Sequence, residues 1–226
     1  MKISRCISFV NITKALQIKL KRDTIPAMKT QVITVHGGET FGSYDAYIAW
    51  LKSFTIDFDR ATTKTWKDTL GEILGDEYEI IPLKMPNSLN SKYMEWKIWF
   101  DKYVPFFNEN SIYIGNSLGA IFLAKYFSEN QYPKSVRGIF MLAAPSGPVS
   151  PTDDMADFVL AKDLNILAAH ADKVHLYHSK DDPVVPFSHL ADYRKHLPHA
   201  KVRVFEDKGH FHVLDLPELI EDIKAI

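Results

Sequence analysis

The sequence predicts a three-layer α/β domain, with a central, mostly parallel six-stranded sheet and helices on both faces. Three observations carry this. From residue 31 onward, short β-rich runs alternate with longer amphipathic ones at the spacing of strand–helix–strand units. One junction between such runs, Gly115-Asn116-Ser117-Leu118-Gly119, has the G-x-S-x-G form of a sharp strand-to-helix turn. The chain is 226 residues long, 46% hydrophobic and 24% charged, the size and balance of one globular domain with its own core.

The strands are expected at 31–35, 78–83, 111–114, 136–142, 173–177 and 201–205, each rich in Val, Ile, Tyr or Phe. Between them, helical patterns cover 44–54, 64–74, 92–106, 118–128, 187–196 and 216–226. A serine turn of this kind belongs at the centre of a sheet. The expected strand order is therefore 78–83, 31–35, 111–114, 136–142, 173–177, 201–205, all parallel. Trp96, Trp99, Phe100, Tyr103 and Phe106 form an aromatic stripe at helical spacing, read as core. Residues 144–171 break the rhythm with three prolines and one or two short helical pieces. This insert follows a strand end, where ligands bind in α/β sheets, and reads either as a small lid or as a long connection.

Residues 1–27 differ from the rest. Six basic residues against Asp23 alone make the segment about five charges positive, although the whole chain carries only −1. Its apolar stretch is short and polar-interrupted and lacks the small-residue cleavage site of a secretory signal, and its apolar positions are only loosely helical. It reads as a basic, weakly specified N-terminal extension to a domain at 28–226. Met28 leads straight into the first strand, so a natural start there is one reading. The near-neutral charge gives no reason to expect nucleic acid, and no apolar run reaches the roughly 18 residues of a membrane span. A single cysteine, Cys6, excludes an internal disulfide framework and suits a reducing, cytoplasmic compartment. Nothing in the sequence fixes an oligomeric state.

Three short segments carry candidate chemistry. In the first, Ser117 sits between an apolar strand and a strong helix opening, the setting in which a serine hydroxyl is lifted above a sheet as a nucleophile. In the second, a strand ends in His36-Gly37-Gly38. Glycine there lets a backbone N–H approach a reacting oxygen, and an oxyanion hole would pair the Gly38 N–H with that of Leu118. Alternatively this is a glycine-rich turn with no ligand; the spacing excludes a dinucleotide loop. In the third, "SKDDPVVPF" and "DKGHF" place Asp181-Asp182 and His210 just after the fifth and sixth strands. Alone, the acids are a turn signal and the histidine a surface residue. Together, Ser117, Asp182 and His210 follow the Ser…Asp…His chain order of one hydrolase class, each at the same sheet edge. Of the two acids, Asp182 precedes Pro183, which holds it extended and gives its carboxylate a fixed direction. The charge-rich stretch around Lys180 and Asp181 reads otherwise as solvated loop. His210-Phe211-His212 invites a metal reading, but no H-E-x-x-H, cysteine cluster or carboxylate at ligand spacing accompanies it.

On "HGG", "GNSLG", "SKDDPVVPF" and "DKGHF", residues 28–226 resemble the α/β-hydrolase superfamily, most closely the small serine hydrolases related to retinoblastoma-binding protein 9. The resemblance implies a Ser117–Asp182–His210 triad and selects Asp182 as its acid. It departs at Asn116, where many relatives have histidine, and at Ala120, where many have a second glycine. The expected activity is hydrolysis of a carboxylic ester, or of a thioester or amide, of a small to medium acyl substrate without cofactor. The competing expectation is a hydrolase fold kept as an interaction module with weak or no turnover.

Overall fold

Strong β-formers and register place six parallel strands in one sheet, ordered β2-β1-β3-β4-β5-β6. The strands are β1 (Thr30–Val35), β2 (Tyr78–Leu83), β3 (Ser111–Asn116), β4 (Val136–Leu142), β5 (Val174–Ser179) and β6 (Lys201–Phe205). The order is the one the sequence predicts. The computed structural model describes residues 28–149, 155–160 and 164–226; the basic extension 1–27 lies outside these residues, as does part of the 144–171 insert.

Among the described residues, eight α-helices connect and cover the strands: α1 (Tyr44–Ser53), α2 (Phe58–Thr62), α3 (Trp66–Leu74), α4 (Tyr93–Tyr103), α5 (Leu118–Glu129), α6 (Asn165–Ala168), α7 (Ser188–His196) and α8 (Pro217–Ala225). Among the described residues, none is long and apolar enough to cross a membrane. Alternation along the strands divides the core into two layers. Ile33, Tyr113, Ile139 and Met141 face a cluster with α4, α5, α6 and α7. Val32, Ile112, Ile114, Phe140 and Leu142 face a second cluster with α3 and α8. All six residues of β3 are buried, as is nearly the whole of α5, which explains why both read as continuous apolar runs.

Local chemistry sets the helix ends. Ser43 caps α1 by accepting the Ala46 N–H at 3.1 Å, and Thr65 with Asp68 forms a capping box on α3. α4 stops at Tyr103 and continues only as a tight 3-10 turn over Val104–Phe106, because Pro105 cannot supply the next hydrogen bond. The aromatic stripe is therefore only half core. Trp96 and Phe100 are fully buried, whereas Trp99 and Phe106 are 39% and 75% exposed. The short α2 is held by its Asp57 cap rather than by an apolar face, so it carries no periodicity to read.

The described parts of the insert pack into the domain. Met155, Phe158, Leu164 and Leu167 are buried, and the Phe158 ring meets Tyr93 and Trp96 edge-on. The Asp157 carboxylate accepts the Tyr93 and Met94 N–H groups at 2.6 and 3.1 Å, capping α4. The described residues of the insert are thus tied to α4.

Away from the sheet's C-terminal edge, His175 on β5 is 1% exposed, stacked on Phe140 with centroids 4.2 Å apart, and neither ring nitrogen has a hydrogen-bond partner. Burial, aided by the charge of Lys201 and opposed by Asp222, pushes its pKa down to about 4. Unfolded, the ring would titrate near 6.5. Between those values the unfolded chain binds more protons, so stability present above about pH 6.5 is lost as pH falls toward 4, by roughly 3 kcal/mol from this group. Replacing His175 with Leu is expected to flatten that part of the slope. Urea midpoints of both proteins from pH 4 to 8 check this, and parallel slopes would contradict it.

Candidate active site

The serine at the strand-to-helix turn is held in a conformation that side chains rarely adopt. Ser117 has φ 55° and ψ −122°, between the end of β3 and the first turn of α5. Serine at such a position usually spends its hydroxyl accepting a helix N–H. Here it makes no capping hydrogen bond, because the backbone turns the side chain away from the helix. The two flanking glycines are required by backbone contact. A methyl group at Gly115 would lie 2.4 Å from the Gly119 carbonyl oxygen, and one at Gly119 would lie 2.3 Å from that of Val35. β3 thus runs against the start of α5, and α5 crosses the end of β1.

That crossing brings the second segment to the first. The Cβ position of Gly37 is 3.7 Å from Ser117 Oγ, and that of Gly38 is 3.2 Å from the Leu118 side chain. Leu118 is the first residue of α5, so its N–H has no intrahelical acceptor. The loop carrying Gly38 is clamped to residues 85–91. Glu39 N–H donates to Ser88 O and Ser91 N–H donates to Glu39 O, both at 2.8 Å. His36 ties the same turn to the end of β2, a role that its motif alone does not reveal. Its Nε2 accepts the Met85 N–H at 2.9 Å, so the proton is on Nδ1, which donates to Gly37 O at 2.6 Å. Burial lowers its pKa, with the charge of Lys67 acting the same way against the Gly37 hydrogen bond, and the ring is neutral near pH 7.

The acid and the histidine meet at the far side of the same edge. His210 Nδ1 lies 2.9 Å from Asp182 Oδ2 and 3.1 Å from Oδ1. The Asp182 side chain is fully buried and that of His210 is 14% exposed. Asp182 Oδ1 also accepts the Val184 and Val185 N–H groups at 2.8 and 3.0 Å. Burial by itself would raise the Asp182 pKa; the hydrogen bond and charge of His210, with those two N–H groups, outweigh it and hold the carboxyl below its usual range. Among the described residues no hydrogen bond joins Ser117 Oγ to His210, and such contacts commonly tighten only with substrate present.

Asp181 proves to be more than solvated loop. Its Oδ1 accepts the Ser179 hydroxyl at 2.5 Å and the Gly209 N–H at 2.9 Å, while Ser179 Oγ accepts the Lys208 N–H at 2.9 Å. The residue before His210 is thereby pinned to the end of β5. His212 turns away from His210, its Nε2 within 3.2 Å of the Arg60 carbonyl oxygen. Spacing cannot reveal the other missed contact. Lys67, in the first turn of α3, donates from Nζ to Asn116 Oδ1 at 2.8 Å, directly beside the Ser117 turn.

A parallel α/β sheet with a serine elbow, a clamped glycine turn and an Asp–His pair along one edge defines the α/β-hydrolase fold. The family model described as serine hydrolase matches residues 58–215, and the chain belongs to that family. It is 24% identical over 185 residues to putative hydrolase YdeN of Bacillus subtilis, covering 81% of this chain and 87% of that protein. It is 23% identical over 151 residues to serine hydrolase RBBP9 of Rattus norvegicus, covering 66% and 78% respectively. The crystal structure of the B. subtilis ydeN gene product superposes with a TM-score of 0.65 at 20% identity, over 87% of this chain and 98% of that one. A carboxylesterase structure from Nitrososphaera gargenis gives 0.57 at 14% identity, over 87% and 89%.

The elbow contacts carry a direct expectation for stability. Gly119→Ala forces a methyl group into backbone that cannot yield and should destabilise the fold by about 3 kcal/mol or more. Gly147 has nothing within 4 Å of its Cβ position, and Gly147→Ala should stay within about 0.5 kcal/mol of the parent. Chemical denaturation of both variants tests this; equal midpoints would show that the crossing tolerates a side chain.

Proposed function

We propose that the protein is a serine hydrolase that cleaves a carboxylic ester of a small to medium acyl substrate through an acyl-enzyme on Ser117, with thioester and amide bonds next in line. The observation that carries this reading is the buried Asp182 carboxylate, 2.9 Å from His210 Nδ1, on the same sheet edge as a serine hydroxyl not spent on capping its helix. In this mechanism Ser117 Oγ attacks the acyl carbonyl as His210 Nε2 accepts its proton. Asp182 holds the Nδ1–H tautomer and stabilises the imidazolium that forms. The N–H groups of Gly38 and Leu118 stabilise the tetrahedral oxyanion, each such donor typically contributing about 3 kcal/mol. His210 then delivers the proton to the leaving alcohol, and a water molecule, deprotonated by the same imidazole, releases the acid.

The described parts of the insert support a small to medium substrate. Residues 155–160 are tied to α4 and the core, which argues against a large cap enclosing a long acyl chain. No step calls on a cofactor. The serine hydrolase family to which the chain belongs supports hydrolysis at a serine.

A fluorophosphonate probe should label the protein, and Ser117→Ala should abolish labelling. Silence of the parent protein would favour a hydrolase-fold interaction module instead. On one p-nitrophenyl ester, Asp182→Asn is expected to lower kcat by something like 10⁴-fold through the wrong histidine tautomer. Asp181→Asn should cost under about tenfold, because an amide oxygen can still accept from Gly209 and a solvated charge is screened. If Asp181→Asn is the inactive variant, the acid is misassigned.

A further inference from the structure

Acyl transfer by Ser117, Asp182 and His210 calls on no lysine, yet an ammonium group lies against the residue that precedes Ser117. Lys67 Nζ donates to Asn116 Oδ1 at 2.8 Å and stands 5.6 Å from the centroid of the neighbouring Trp66 ring. Its charge is also felt at His36, the residue before the Gly37–Gly38 turn. The ammonium is therefore held against the strand end that leads into Ser117.

The local count of donors and acceptors is unbalanced. An ammonium has three N–H donors and no acceptor, and Asn116 uses only one of them. Among the described residues, no carboxylate lies within 4.0 Å of Lys67 Nζ. The nearest acid in sequence, Asp68, is committed to Thr65, accepting its N–H at 2.7 Å and its hydroxyl at 3.1 Å. Asn116 itself is 7% exposed and its Nδ2 has no hydrogen-bond partner. The ammonium thus sits beside the residue that precedes Ser117, and among the described residues two of its three N–H groups are not taken by protein acceptors. An ammonium so placed is a complement for a group of opposite charge.

We propose that Lys67 and Asn116 are a specificity-determining pair in which the Asn116 amide oxygen positions the ammonium and the ammonium binds a carboxylate carried by the substrate, so that the preferred esters bear an anionic group several ångströms from the scissile carbonyl. The inference rests on the acyl-transfer reading of Ser117. It extends that reading from bond type to substrate class, an acidic ester.

The test compares three esters: mono-p-nitrophenyl adipate, with the carboxylate on the acyl side; 4-carboxyphenyl hexanoate, with it on the leaving group; and neutral p-nitrophenyl hexanoate. For at least one acidic ester, Lys67→Met should lower the ratio of its kcat/KM to that of the neutral ester by about tenfold or more, and Lys67→Arg should restore most of it. Unchanged ratios for both acidic esters, including a uniform loss on all three, would overturn the proposal, since a merely structural lysine does not discriminate charge. Binding of monomethyl adipate to the Ser117→Ala protein by calorimetry gives a reading independent of turnover. Its dissociation constant should rise about tenfold on adding Lys67→Met, and no change would likewise overturn the pair. If the parent protein hydrolyses none of the esters while Lys67-dependent binding persists, the acyl-transfer reading fails and the anion site stands.

Discussion

The first turn of α5 crosses the end of β1 at backbone contact distance, and the positions of the other groups on that sheet edge follow from this crossing. With Gly119 against the Val35 and His36 carbonyls, the strand end carrying Gly37 and Gly38 comes within reach of Ser117. With Gly115 against the Gly119 backbone, β3 can hand the chain to α5 without a longer loop, and Ser117 is left at a positive φ with its hydroxyl free of capping duty. A side chain at either glycine would push strand and helix apart. The helix N-terminus, the glycine turn and the serine would then separate together. The placement of the glycine turn, the helix N-terminus and the Ser117 side chain beside one another thus follows from one packing contact.

The acid and histidine are placed by a different device. No glycine crossing holds them; hydrogen bonds between two loop segments do. Asp181 and Ser179 together receive the Gly209 and Lys208 N–H groups, so the turn before His210 is attached to the end of β5. Asp182 is fixed by Val184 and Val185 and points the other way, toward the imidazole. Two adjacent acids thus divide the work: one fixes the backbone that carries the histidine, the other faces its ring. Beneath them His178 is buried, with its Nε2 3.0 Å from the Val185 carbonyl oxygen, and burial keeps its pKa low despite Asp182 nearby. The Asp182 carboxylate therefore meets its charge partner on the His210 side.

The strands and their order were legible because each is a compact run of β-branched and aromatic residues, and because a serine elbow belongs at the centre of a sheet. β3 and β5 run two residues further than the apolar pattern suggests, since Gly115, Asn116, His178 and Ser179 pair in the ladder although they are not strand formers. The exposure of Trp99 and Phe106 was not legible. Periodicity marks a face, but Pro105 ends the helix, and only tertiary packing decides how wide the buried stripe is. The chain order and strand-end positions of Ser117, Asp182 and His210 could be read from local motifs. The contacts of His36 with Met85 and of Lys67 with Asn116 could not, because each spans 49 residues and depends on which strand ends are neighbours. Asp181 was underestimated for the same reason, its partner at Gly209 lying 28 residues away.

Three of the positive-φ residues of this domain fall on the edge where the chemistry is proposed, while Asn87, Asn110, Met155 and Ala156 adopt positive φ elsewhere. Besides Ser117, Ala143 just past β4 and Phe211 just past His210 have positive φ, at 47° and 56°. Such residues each cost roughly 1–3 kcal/mol, so three of them are large against the net stability of about 5–15 kcal/mol typical of a domain. They persist only because neighbouring contacts over-determine them. Ala143 N–H donates to Tyr177 O at 2.9 Å, Phe211 O accepts from Trp66 Nε1 at 3.1 Å, and Ser117 N–H donates to Leu142 O at 2.9 Å. Ala143, Phe211 and Trp66 belong to the same buried cluster on the α3 and α8 side of the sheet. Relaxing any of these backbones would therefore break a buried hydrogen bond and disturb that cluster, which exceeds the gain from a relaxed φ. The α3 and α8 layer thus acts at a distance from Ser117 and His210, by making the strained edge the lowest-energy arrangement of the strands beneath it.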